Sequence, residues 1–123
     1  MARLISKPQP KSIETDQTCD WRGVSGNVYK YYVNSISNTY KDVPGNYIYA
    51  MPTPDGTWKA LFIGQTASLT RRPEGSCTGE RAAVSSGATY IHAHISSPNE
   101  PERQSEVSDL VQSLHPPFNE EVA

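Results

Sequence analysis

Residues 64–72, GQTASLTRR, carry the side chains most suited to chemistry on a phosphate: a glycine turn, then Gln65, Thr66 and Ser68, then Arg71 and Arg72. Hydroxyl and amide groups after a tight turn, followed by adjacent guanidiniums, suit an anion. Arg81 adds a third positive charge mid-chain. A second set is His92 and His94, whose spacing puts both rings on one side of a strand and is compatible with joint metal ligation. No cysteine pair or nearby carboxylate completes such a site, so both read first as structural or surface histidines. Cys77 is the reactive side chain nearest the arginines, but no base accompanies it. With Cys19 as the other cysteine, free thiols are expected rather than a disulfide.

The elements that must position these groups follow from periodicity. Residues 47–51 and 58–63 are short apolar runs joined by Pro52, Pro54, Asp55 and Gly56, the pattern of a β-hairpin with a longer loop. Residues 28–33, VYKYYV, are β-branched and aromatic and read as a further strand. Residues 90–95, YIHAHI, alternate as a strand with one apolar face. A short helix is expected from the glycine turn through Leu69, stopped by Pro73. A second runs over residues 79–86 and ends at Gly87. The last begins at Asn99, Glu100, Pro101 and Glu102, a cap with an early proline and an acid at N3. Val107, Leu110, Val111 and Leu114 form its buried stripe, and His115 with the two prolines after it ends the helix.

Composition bounds the rest. A chain of 123 residues with 36% hydrophobic content, 10 prolines and 8 glycines fits one domain of modest core. Residues 1–26 are expected as an extended lead-in, 27–119 as the domain and 120–123 as a tail. No apolar run suffices to cross a bilayer or serve as a secretion signal, and a cytoplasmic location is expected. The net charge of −2 argues against strong general affinity for nucleic acid, although Arg71, Arg72 and Arg81 allow a local basic patch.

Gly45-Asn46-Tyr47, then Phe62-Ile63-Gly64 with Gln65 and Thr66, Arg72 eight residues past Gly64, and a late Pro116-Pro117-Phe118-Asn119 resemble the GIY-YIG nuclease family. The resemblance spans residues 28–119. It implies an α+β fold with a three-stranded antiparallel sheet from the Tyr47, Trp58 and Tyr90 strands, an edge strand at Val28 and three flanking helices. It also implies a catalytic set: Tyr47 as base, Arg72 as phosphate clamp, Phe62 in place of the second motif's tyrosine, and a divalent cation such as Mg2+ on an acid of the last helix. Counting back from Leu110 puts that acid's position at Val107. Glu106 lies one residue away, about 100° around the helix. The histidine that many members carry soon after the arginine has no counterpart in residues 73–78.

Hydrolysis of a phosphodiester needs a cation, a base and fixed positive charge. Two of the implied contributors are displaced or replaced here. The expectation is therefore a GIY-YIG-like domain with impaired cleavage that binds a protein or nucleic-acid target, as a regulator or inhibitor of a nucleic-acid-processing machine; no cofactor is then needed. The alternative is an active divalent-metal-dependent DNA endonuclease using Tyr47, Arg72 and Glu106. A third reading takes the motifs as coincidence in a small structural protein.

Overall fold

The structure is a computed structural model, and it describes residues 17–36, 41–70 and 78–119. Five strands and two helices follow one another as β1 (Thr18–Arg22), β2 (Val28–Ser35), β3 (Gly45–Pro52), β4 (Trp58–Thr66), α1 (Thr78–Ser85), β5 (Tyr90–Ile95) and α2 (Glu100–Leu114). The fold is α+β: all strands pair antiparallel in one sheet of order β1-β2-β5-β3-β4.

Three sequence expectations need correction. The sheet has five strands because Thr18–Arg22, inside the expected lead-in, pairs along β2. Trp21 explains why: its ring is buried in the core and anchors a strand there. The Val28 strand is consequently interior, with β1 on one side and β5 on the other. The short helix through Leu69 is not formed over residues 67–70, which are irregular; Leu69 is fully buried and its N–H bonds the Val43 carbonyl at 2.8 Å. Any continuation over residues 71–77 lies outside the described residues, which contain α1 and α2 as their helices.

The hairpin, the β5 strand and both later helices fall where periodicity puts them. Gly56 takes φ +89° in the β3–β4 loop and Gly87 takes φ +119° after α1, the left-handed conformations that glycine adopts without cost. Asn99 is the N-cap of α2, though its side chain makes no capping bond; Pro101 sits in the first turn, where a missing N–H costs nothing. His115 closes the helix in the left-handed region, its N–H bonding the Val111 carbonyl at 2.9 Å.

Each face of the sheet has its own core. Tyr47, Tyr49, Leu61, Phe62, Leu69, Ile91 and Ala93 pack with Ala83 of α1, while Trp21, Tyr31, Ile48, Ala50, Ala60 and Ile63 pack with Val107 and Leu110 of α2. Val111 and Leu114 flank the second cluster half-buried, so the stripe read from spacing does face the core. A register shift between Tyr49 and Ala50 lets the consecutive residues Leu61 and Phe62 both join the α1 side. Opposite edges of the strand order, β1 and the start of β4, meet around one cavity. The sheet is therefore strongly curled.

Candidate functional site

Alternation along β3 decides the geometry. Successive side chains on a strand point to opposite faces, so Tyr47 and Tyr49 face α1 while Asn46, Ile48 and Ala50 face α2. Tyr47 lies directly across from Gly64 in the β3–β4 ladder. A Cβ at Gly64 would meet the Tyr47 ring at 2.6 Å, so the second motif's glycine is the space into which that ring lies. Gly79 plays the same part for α1, since a Cβ there would meet the Phe62 ring at 2.5 Å. Tyr47 and Phe62 therefore do converge, with ring centroids 6.5 Å apart, but beneath the helix rather than on an open surface. Tyr47 is 3% exposed and Phe62 6%.

At the centre of this face is Glu80, fully buried in the first turn of α1. Its Oε2 accepts the Tyr47 hydroxyl at 2.5 Å and its Oε1 the Tyr49 hydroxyl at 3.2 Å. Burying a carboxylate is tolerable only with such donors, and the helix N-terminus adds a favourable dipole. The reading of the sequence missed Glu80. With Gly79 and Ala83 it makes up the buried side of α1, a burial that the sequence around residue 80 does not signal. The arrangement commits the Tyr47 hydroxyl as a donor. A general base must instead accept a proton from a water it can reach.

Glu106 lies on the other face. It is half-buried, its Oε1 accepting hydrogen bonds from Asn46 Nδ2 and Ser96 Oγ, each at 2.7 Å. His94 Nε2 is 3.8 Å from the same oxygen. These groups belong to a polar row across the sheet, because Asn46 pairs with Gln65 on β4 and with His94 on β5. Arg103, one turn before Glu106, is buried and closes the row, its Nε donating to Gln65 Oε1 at 2.8 Å and a terminal nitrogen to the Ser97 carbonyl at 2.9 Å. Tyr31 stacks on His94. Among the described residues, the Tyr31 hydroxyl and Asn46 Oδ1 are buried with no partner within ordinary hydrogen-bond geometry. Burial, and secondarily the Glu106 charge, push the Tyr31 phenol well above its ordinary range.

His92 and His94 occupy one face as their spacing requires, but they do not act together. His92 is fully buried; Trp21 Nε1 donates to its Nδ1 at 3.0 Å, which assigns the ring hydrogen to Nε2 in the neutral form. Burial lowers its pKa to about 4. Nδ1 of His94 instead lies 2.9 Å from the Lys30 carbonyl. Among the described residues no group of three or more His, Cys, Asp or Glu side chains gathers to hold a metal. The acid beside Tyr47 is Glu80, too deeply buried for a Mg2+ ion, which keeps several of its waters. The residues described do not fit the cation that the family resemblance implies at Tyr47. Arg81 is exposed on α1, while Arg71, Arg72 and Cys77 lie outside the described residues.

Asn119 is a further residue whose task only the structure reveals. Its side-chain amide donates to the Ile63 carbonyl and accepts the Ile63 N–H, both at 2.7 Å, and the Phe118 N–H bonds the Leu61 carbonyl at 3.2 Å. Residues 116–119 thus cover the outer edge of β4, as an edge strand requires.

Comparison with known protein families, with curated proteins and with solved structures gives no match for this chain. The fold and site define an α+β domain with one antiparallel sheet covered by a helix on each face. Among the described residues, no helix is long and apolar enough to cross a membrane.

Proposed function

We propose that this chain is a GIY-YIG-like domain that binds its target without cleaving phosphodiesters, acting as a regulator or inhibitor of a nucleic-acid-processing machine. One observation carries the reading: Tyr47 and Glu106 point to opposite faces of the sheet. A base and a metal carboxylate serving one phosphate must converge within a few ångströms of it. This separation weighs against the endonuclease alternative built on Tyr47, Arg72 and Glu106. A protein target is favoured over nucleic acid, since α2 carries Glu100, Glu102, Glu106 and Asp109 against a single, buried Arg103, a face that repels phosphate.

The test is cleavage of duplex, branched and single-stranded DNA with Mg2+ or Mn2+. The protein and its Tyr47→Phe variant are expected to give the same background. Cleavage that depends on Tyr47 overturns the proposal and restores the endonuclease.

A further inference from the structure

The two ends of the strand order turn backbone groups outward beside one cavity. At both ends of β1 the bonds to β2 fall on odd-numbered residues: Val33 N–H bonds the Gln17 carbonyl at 3.0 Å and Gly23 N–H the Asn27 carbonyl at 2.9 Å. Bonded and non-bonded pairs alternate along an antiparallel ladder, so Cys19 and Trp21 also turn their backbone to β2. Thr18, Asp20 and Arg22 present theirs outward, and among the described residues no strand lies beyond them. The same parity holds on β4. Thr53 N–H bonds the Thr57 carbonyl, and the Ala50 carbonyl goes to the Thr89 N–H on the β5 side, so Trp58 and Ala60 point their backbone to the outer edge. Residues 116–119 cover that edge from Leu61 to Ile63 and leave its start open.

β1 lacks the devices that protect an edge, having neither a proline nor a register shift. Every pairing from β1 through β2, β5 and β3 to β4 is antiparallel, so β1 and β4 run in the same direction and a single added strand can be antiparallel to both. Between them is the cavity of about 370 Å³ lined by Cys19, Asp20, Trp21, Gly56, Thr57 and Trp58. The side chains around this gap define what fits. Cys19 and Trp58 are half-buried against the α2-side core and Trp21 is buried in it, so a guest side chain on that face meets apolar walls. Asp20 and Arg22 are exposed on the opposite face.

We propose that this gap receives an extended segment of a protein partner as an added strand, antiparallel to β1 and β4, with the sequence pattern acidic, apolar, basic, apolar. Read from the N-terminus of the guest, the acid lies opposite Arg22, the first apolar residue opposite Trp21, the base opposite Asp20 and the second apolar residue opposite Cys19. Main-chain bonds hold the segment and the alternating side chains select it. The proposal rests on the reading of the chain as a protein-binding domain and names how the partner is held.

The probe is the acetylated, amidated peptide Thr-Glu-Val-Lys-Val-Thr, titrated into the full chain and followed by amide hydrogen exchange. At saturation exchange at Asp20 and Arg22 should slow about tenfold or more, while Cys19 and Trp21, already bonded to β2, change little. Methylating the lysine backbone nitrogen of the peptide should weaken binding about tenfold or more, and exchanging its Glu and Lys about threefold or more. Asp20→Pro removes an outward N–H without touching the β1–β2 ladder and should abolish binding, with the remaining amide spectrum reporting that the variant is folded. An unsaturable response, protection without alternation along β1, or indifference to the N-methyl peptide overturns the proposal. Protection of Asp20 and Arg22 before any peptide is added also overturns it: in favour of a second copy of the chain if it grows with protein concentration, and of residues 1–16 if it does not. Failure here leaves the cleavage assay unaffected, and Tyr47-dependent cleavage would refute the wider reading without altering the protection pattern.

Discussion

Replacing Asn119 by alanine should unfasten the edge of β4. The native amide makes two hydrogen bonds of 2.7 Å to the backbone of Ile63, a residue 1% exposed. Each bond is worth about 0.5–1.5 kcal/mol net, and a buried N–H or C=O left without a partner costs about 1–3 kcal/mol. Water can reach the opened edge and recover part of that, so the loss expected is about 2 kcal/mol. For a chain of this size that corresponds to a fall in Tm of roughly 8 °C. The assay pairs urea denaturation with hydrogen exchange at the Ile63 amide, whose protection should fall more than that of Tyr47 or Ile48 within the sheet. Asn119→Asp separates the two bonds: the carboxylate keeps the acceptor for the Ile63 N–H but sets an oxygen against the Ile63 carbonyl. It should destabilise at pH 7 and recover as acid protonates it. A loss under ~0.5 kcal/mol for Asn119→Ala, with Ile63 protection unchanged, would refute the view that residues 116–119 act as a surrogate edge strand.

Gly64→Ala should cost about 1–3 kcal/mol by forcing the Tyr47 ring away from a Cβ that would sit 2.6 Å from it; Tyr47→Ala in the same background should remove most of the added penalty, and additive losses would argue against the contact. Tyr47→Phe takes a donor from the buried Glu80 carboxylate and should lower stability by about 1–3 kcal/mol, read by urea midpoint; an unchanged midpoint contradicts a structural role. His92 has its pKa depressed to about 4 by burial, so as pH falls from about 6.5 the unfolded chain takes up a proton that the folded chain refuses. Stability present at pH 7 should fall progressively until about pH 4, by a few kcal/mol in all, at about 1.4 kcal/mol for each pH unit crossed, and His92→Phe should flatten that window. Asp109, whose carboxylate is held below its ordinary range by bonds from Ser25 and Tyr29, adds a loss that begins lower, as pH drops through the carboxylate range; Asp109→Asn should remove that limb alone.

What the sequence determined by itself is local. β-Branched and aromatic content located β2, short apolar runs located β3 and β4, period-two alternation located β5, turn residues closed the hairpin, and Pro101 with the spacing of Val107 and Leu110 set the start and buried side of α2. The same alternation already put Asn46 and Tyr47 on opposite sides of β3. It could not say which side α2 would cover, because that depends on contacts between segments some 60 residues apart, such as Asn46 with Glu106. Only tertiary packing decided that Glu106 would face Asn46 and Ser96 while Tyr47 turned to Glu80. The cost of burying Glu80 is likewise met by two hydroxyls from β3, a strand far earlier in the chain, so no local window around residue 80 reveals it. Trp21 is the same case: in a segment without sustained periodicity, an indole N–H satisfied by His92 across 71 residues makes β1 part of the sheet. Patterns fix which residues share a face; the free energy of docking distant faces fixes which groups meet.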